Sequence, residues 1–361
     1  MKINEYLSAA GLDVLSRAPW VDEGQRATGV ATSALSSIDR PSNRELIAPL
    51  TLSNEAMYFP LGFPLRLVSN SLAIHAAAEQ SWSYFQQAFA HLPLELRLEL
   101  KEGVAGNGKV PPAPVHSVRG QFLVNTADPD NFTIVDLKNG RAIGRVSEAA
   151  VASPVYLRYF VLEAAALSMI ATMRAVALHA ACVRLGNHGI LLCGDSGAGK
   201  SSLAYAGARA GWTYVCDDVS YLPNDRHDRM VIGNCHLVRF RPSARDLFPE
   251  IAGFPITPRA EGKPSIEVRT SEWTELSTAN SAVVEHIVFL NRDRGSHQEL
   301  VSLNPDEVRQ WFAQHLLSTN ESRSTQEAAI SRLLKANVFE LRYKELAWAI
   351  ERIGMLATWG R

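Results

Sequence analysis

The 361-residue chain is 47% apolar and 20% charged, the balance of a globular protein with a real core and roughly two domains. Its formal net charge of -1 leaves no global field to draw nucleic acid or an anionic membrane surface, so neither is expected as a partner. Four cysteines, Cys182, Cys193, Cys216 and Cys235, stand apart without metal-ligand spacing, which fits buried reduced thiols and a cytoplasmic setting.

Residues 1–54 are polar and read as an N-terminal extension, with a short helix expected over Glu5–Ser16 and loop over Ala31–Asn43. Met1–Pro19 lacks the basic-then-apolar pattern of a signal peptide. Residues 55–153 are expected to form a smaller α+β domain. Its elements are a strand near Leu65–Val68, a helix over Leu72–His91, and strands at Leu94–Leu100, Val118–Val124, Phe132–Asp136 and Ala142–Val146. Gly103–Pro114 reads as loop, and Asn139-Gly140 is a strong hairpin-turn signal. This module carries no catalytic constellation of its own, so acceptor docking, self-association and a purely structural role stay open.

Residues 154–361 form the second expected domain. The most apolar stretch, Val161–Val183, contains Glu163, Arg174 and His179 and reads as a buried helix, Val155–Met173, running into a buried strand, not as a membrane span. Strands are expected at Leu178–Arg184 and Gly189–Cys193, joined by a Gly186-Asn187 turn. A helix at Lys200–Ala210 and a strand at Trp212–Cys216 follow. Further strands are expected at Val238–Phe240, Ser265–Val268, His286–Leu290 and Val338–Arg342. Asn304-Pro305-Asp306-Glu307 is a well-formed helix start, and Ser322–Lys335 and Lys344–Leu356 complete the helices.

The chemistry concentrates after the Gly189–Cys193 strand. Gly194-Asp195-Ser196-Gly197-Ala198-Gly199-Lys200-Ser201 fills every fixed position of the phosphate-loop pattern G-x-x-x-x-G-K-[ST]. Glycines let successive N–H groups turn inward toward phosphate oxygens, and the following helix aims its positive end at the same anion. Gly194–Ser202 is therefore expected to bind a nucleotide, with Lys200 on the β- and γ-phosphates and the Ser201 hydroxyl on Mg²⁺.

If Gly186-Asn187 are the turn residues, paired positions across the hairpin sum to 373, and His179 falls level with Gly194 at the loop mouth. There it could orient a phosphate or relay a proton, or be an ordinary core histidine. Asp217-Asp218 end the next strand, where ligands of open α/β sheets gather. One carboxylate can hold Mg²⁺ with Ser201 while the other takes a proton. Asp217 is assigned to the metal and Asp218 to the proton, although strand register alone leaves the two interchangeable. Arg239 and Arg241 share a strand face, and a cation there would neutralise a moving phosphoryl group; a solvated face explains the same spacing. Lys263 and Arg292 are weaker candidates. His75, His91, His116, His227, His236, His286, His297 and His315 show no ligand constellation.

Leu178-His179-Ala180, Gly194–Ser202 and Cys216-Asp217-Asp218 together resemble the catalytic domain of HPr kinase/phosphorylase and its relatives, over about Ala177–Leu222. That resemblance implies an α/β phosphate-loop kinase core related to phosphoenolpyruvate carboxykinase, with ATP and Mg²⁺ as cofactors. It also makes His179 and Asp218 proton-handling residues and Asp217 a metal neighbour. The sequence departs from the family pattern at Ser202, where the family carries Glu, and at Ala180, where it carries Gly. Glu267-Val268-Arg269 echoes a downstream family motif without the glycines that follow it. The expected function is ATP-dependent phosphoryl transfer to a hydroxyl of a protein, peptide or small molecule. The alternative is a nucleotide-binding regulatory scaffold without turnover.

Overall fold

The computed structural model describes residues 52–101, 103, 109–258, 264–292, 297–316 and 323–358. The expected helix at Glu5–Ser16, the loop at Ala31–Asn43 and Lys263 lie outside them. Among the described residues the chain divides into two compact units, 52–169 and 170–358.

The first unit is built on a seven-stranded sheet. Its elements are β1 (Asn54–Tyr58), β2 (Leu65–Ser69), helix α1 (Leu72–Trp82), β3 (Leu94–Lys101), β4 (Val115–Arg119), β5 (Phe122–Asp128), β6 (Asn131–Asp136) and β7 (Arg141–Ser147). The order is β1-β2-β3-β7-β6-β5-β4. β3 lies parallel to both β2 and β7, and the other neighbours are antiparallel. The period-2 pattern of β3 explains its place. Leu94, Leu96 and Leu98 are buried, each contributing about 1.5–3 kcal/mol, while Glu95 and Glu99 on the other face pair with Arg66 and Arg145.

Two expectations in this unit are corrected. The helix over Leu72–His91 stops at Trp82. Beyond it, the Ala88 and Phe89 N–H groups donate to the Gly62 carbonyl, and Phe89 stacks on Phe63 at 4.2 Å. These tertiary bonds replace the helical ones. The single strand expected at Val118–Val124 is two strands, β4 and β5, joined by a tight turn in which Arg119 faces Phe122. Gly120 takes φ +57 there, as the first residue of such a turn must. The Asn139-Gly140 signal does mark the β6–β7 turn, with Gly140 at φ +65.

The helix α2 (Pro154–Met173) is long and apolar enough to cross a membrane, and 61% of its most apolar window is buried inside the protein.

The second unit contains β8 (Ala175–Leu178), β9 (Ala181–Leu185), β10 (His188–Cys193), α3 (Lys200–Arg209), β11 (Thr213–Cys216), β12 (Ser220–Pro223) and β13 (Met230–Ile232). After these come β14 (Leu237–Phe240), β15 (Ile256–Pro258), β16 (Pro264–Arg269), β17 (Ser277–Thr278), β18 (Ser281–Arg292) and β19 (Glu299–Ser302). The helices α4 (Pro305–His315) and α5 (Arg323–Leu333), strand β20 (Asn337–Tyr343) and helix α6 (Leu346–Gly354) end the unit. Asn304 caps α4 by accepting from the Asp306 N–H, as its sequence foretells.

A ten-stranded sheet dominates, with β10, β18 and β20 parallel neighbours at its centre. The twelve-residue β18 serves two partners in turn: its first residues pair with β13 and its later ones with β20. From β9 the neighbours run through β10, β18, β13 and β12 to β8, whose chain continues into β9. A separate three-stranded sheet has the order β14-β16-β15.

The β9–β10 hairpin has the anticipated register, from His188 opposite Leu185 to Leu192 opposite Ala181. The strand expected over Leu178–Arg184 is nevertheless broken. Leu178 belongs to β8, paired with Ser220 of β12, and the chain changes partners at His179-Ala180. The companion strand breaks at the same level, between β11 and β12, at Asp217–Val219.

Candidate functional site

The site grows from these coincident strand breaks and from the loop that follows β10. Val183, Ile190 and Leu192 pack against Leu203 and Tyr205 of α3 in one core cluster, which fixes the strand–loop–helix unit. Between strand and helix, Gly194, Gly197 and Gly199 adopt φ of +140, +90 and +99. These are values that side-chain-bearing residues rarely take. At Gly194 a Cβ would also come within 2.9 Å of the Leu290 carbonyl.

Gly199 is the N-cap of α3. A glycine cap has no side chain to accept the first-turn N–H groups of Lys200, Ser201 and Ser202. They stand at the positive end of the helix, a ready anion site. The Lys200 ammonium donates to the carbonyls of Gly194, at 2.7 Å, and Asp195, at 3.2 Å, and is buried. Burial lowers its pKa to about 8, against the opposing pull of Asp218, Cys193 and Asp195.

The two aspartates face different partners. Arg239 N–H donates to Asp217 Oδ2 at 3.0 Å, and the Tyr214 hydroxyl lies 3.0 Å from Asp217 Oδ1 and 2.8 Å from the Leu237 carbonyl. Burial and the Asp217 charge push Tyr214 well above its ordinary pKa, so it remains a donor. The Ser201 hydroxyl donates to the Asp217 main-chain carbonyl, 3.5 Å away. The Asp217 carboxylate, expected to share a metal with Ser201, is held by β11 and β14 through Tyr214 and the Arg239 N–H.

Asp218 is the first of the charges acting on Lys200, and its carboxylate lies 3.7 Å from His179 Nδ1. The same ring nitrogen is 3.2 Å from the Asp218 carbonyl. His179 sits in the break between β8 and β9, two residues beyond the last ladder pair. It faces Asp218 across the gap between the two interrupted strands.

Arg241 follows β14 and donates to the Ser196 hydroxyl at 2.7 Å, tying this cation to the loop. Arg239 does not join it: the side chain pairs with Glu267 at 3.0 Å, directly opposite on β16. Arg292 ends β18 opposite Tyr343 of β20. The Tyr343 hydroxyl donates to the Ala198 carbonyl at 2.8 Å. A Cβ on Gly199 would collide with that same hydroxyl.

Sequence reasoning missed Tyr343 and Tyr214. The first has a readable signal, since it ends a parallel strand on the side where such loops sit. Tyr214 looks like any apolar strand residue until the strand break turns Asp217 back onto it. The four cysteines are free and buried, and Cys193 and Cys216 are pushed up to about 12 by burial, which makes them poor nucleophiles. The histidines need one correction. His286 lies with His188 and Glu285 in one cluster, where linear spacing shows none.

No protein-family model and no curated protein matches the chain. Among solved structures, the Hpr(Ser) kinase/phosphatase from Coxiella burnetii is a weak neighbour at 15% identity and a TM-score of 0.30, covering 51% of this chain and 99% of its own. A likeness of that size transfers no residue roles.

Proposed function

We propose that the chain is an ATP- and Mg²⁺-dependent kinase that transfers the γ-phosphoryl group to a hydroxyl of a protein, peptide or small molecule. One observation carries the reading: a glycine-rich helix start, a buried lysine, a loop-bound arginine and a histidine–aspartate pair meet at one end of β10. Nucleotide binding alone does not call for the last pair.

In this reading the N–H groups of the loop and α3 hold the phosphates, with Lys200 leaving the Gly194 and Asp195 carbonyls for the β- and γ-oxygens. The acceptor oxygen attacks the γ-phosphorus, its O–P bond forms as the bond to ADP breaks, and its proton passes to Asp218. His179 holds Asp218 in place, and Arg241 neutralises charge on the transferring group. Mg²⁺ would be held by the Ser201 hydroxyl together with Asp217 and would supply charge neutralisation at the phosphates. Asp217 also braces β11 against β14, and each of its oxygens has a second lone pair to offer a metal.

The test is mass spectrometry of candidate acceptors incubated with the protein and ATP·Mg²⁺. The expected result is a gain of one phosphoryl group that depends on both nucleotide and protein. Saturable ATP binding with no transfer to any acceptor would replace the kinase with a nucleotide-binding scaffold.

A further inference from the structure

The opposite end of β10 holds a second cluster of chemistry-bearing side chains, independent of the loop. His188 opens β10, and Glu285 and His286 are neighbours on β18. Adjacent strand residues ordinarily point to opposite faces, which would keep one of the pair away from His188. Here the ladder slips. Gly189 pairs with Val284, but Ile190 pairs with His286, so Glu285 is the extra residue of a β-bulge. Bulges re-aim side chains and recur beside functional sites. A Cβ on Gly189 would run into the Val283 carbonyl, so glycine permits the close strand approach at this slip.

One ligand atom from each of His188, Glu285 and His286 lies within 4.8 Å of the others. His188 Nδ1 is 2.5 Å from Glu285 Oε2, and the two imidazoles lie 6.2 Å apart between centroids.

We propose that His188, Glu285 and His286 bind a first-row divalent transition metal of the zinc type, through two imidazoles and one carboxylate. Two histidines and a glutamate are a recurrent zinc donor set that leaves a fourth position open. The exposures fit that geometry. His286 is buried, while the side chains of His188 and Glu285 are 26% and 38% exposed, which leaves a face for water.

The buried ligand is prepared for the role. The Asn337 side-chain amide lies 3.5 Å from His286 Nδ1, the kind of outer contact that fixes tautomer and orientation in metal-bound histidines. Tetrahedral ligands at zinc bond lengths stand about 3.3 Å apart. The metal would therefore open the short His188–Glu285 contact slightly and draw His286 inward. Six residues of strand separate His188 from Gly194, roughly 20 Å at 3.3 Å per residue. The metal would staple β10 to β18 at the end away from the loop.

The test uses the full chain, stripped with chelator and titrated with Co²⁺ as a spectroscopic probe. One Co²⁺ per chain should produce visible ligand-field bands without a thiolate charge-transfer band, and one Zn²⁺ should displace it. His188→Ala should abolish the bands, and Glu285→Gln, which keeps the side chain's shape, should weaken Co²⁺ binding about tenfold or more. Asp218→Asn should leave the bands intact, separating this site from the loop. Zn²⁺ should raise the thermal midpoint of the parent protein and not that of His188→Ala. Absence of ligand-field bands, or equal bands in the parent, His188→Ala and Glu285→Gln, would overturn the assignment.

Discussion

The two units bury polar groups in opposite ways. In the first unit, His116 Nδ1 meets Asn125 Oδ1 at 2.6 Å, Asn125 donates to Thr133, and Asn131 Oδ1 accepts from the Ser147 N–H and hydroxyl. Ser81 accepts from Arg158 and donates to Glu163. These groups serve one another within unbroken strands and helices. In the second unit the buried charged groups around the loop stand where strands are interrupted. Lys200 holds only the carbonyls of its own loop, His179 sits in the gap between β8 and β9, and the Asp217-Asp218 pair sits in the gap between β11 and β12. The contrast is between side chains that bind one another within regular elements and charges held at breaks in a sheet, where a main-chain ladder does not occupy the space beside them.

Breaking the second arrangement should cost function, and breaking the first should cost stability. The largest effect expected is from Lys200→Ala. It removes the phosphate-facing cation and its charge-assisted bonds, worth about 1.5–3 kcal/mol each, so ATP affinity should fall about a hundredfold or more by calorimetry while the fold persists. Unchanged affinity would dissolve the contrast.

Asp217→Asn and Asn125→Ala sharpen the comparison within smaller effects. Each leaves buried partners unmatched, and each should lower stability by about 1–3 kcal/mol in denaturant titrations. Asp217→Asn should also raise the Mg²⁺ concentration needed for turnover, and Asn125→Ala should not. An unchanged requirement in Asp217→Asn would leave that carboxylate as a strut alone.

The pH dependence separates the units next. Lys200 has a pKa of about 8 folded against 10.5 for the free side chain. Between those values the unfolded chain binds more protons, so this group destabilises the fold below pH 8 and that penalty is relieved as pH rises toward 10.5. ATP affinity should move the other way, falling by up to about tenfold per unit above pH 8 as the ammonium is lost. Titrations at pH 7, 8, 9 and 10 read both trends, and Lys200→Ala should show neither. The smallest effect expected is from Tyr343→Phe, which removes one hydroxyl from the Ala198 carbonyl. ATP affinity should fall by only about fivefold, near 1 kcal/mol.

What was legible in the sequence was legible for local reasons. The Asn304 cap, the Asn139-Gly140 turn and the β9–β10 register each follow from a few adjacent residues, because turn and cap chemistry act over short separations. The loop Gly194–Ser201 was readable because its glycines and lysine are set by position. Elements shaped by distant partners were not. β12, β13, β17 and β19 are only two to four residues long and take their form from neighbours far along the chain. Helix α1 loses its last turns to the Gly62 carbonyl, which nothing in Ser83–His91 announces. The same limit applies at the site. Sequence placed His179, Asp217 and Asp218 near the loop but could not tell which carboxylate turns inward, because that depends on Tyr214 and on the Arg239 N–H of another sheet. The His188–Glu285–His286 cluster was invisible, since it needs a slipped register between β10 and β18.

The most direct test of the central claim measures phosphoryl transfer and ATP affinity on the same samples of the parent protein and Asp218→Asn, using an acceptor identified by mass spectrometry. Loss of the proton acceptor should slow transfer by about 10²–10⁴-fold, the usual worth of a general base, while ATP affinity stays within about twofold. Transfer at the parental rate in a folded Asp218→Asn protein would contradict the assignment of the chemistry to the strand break.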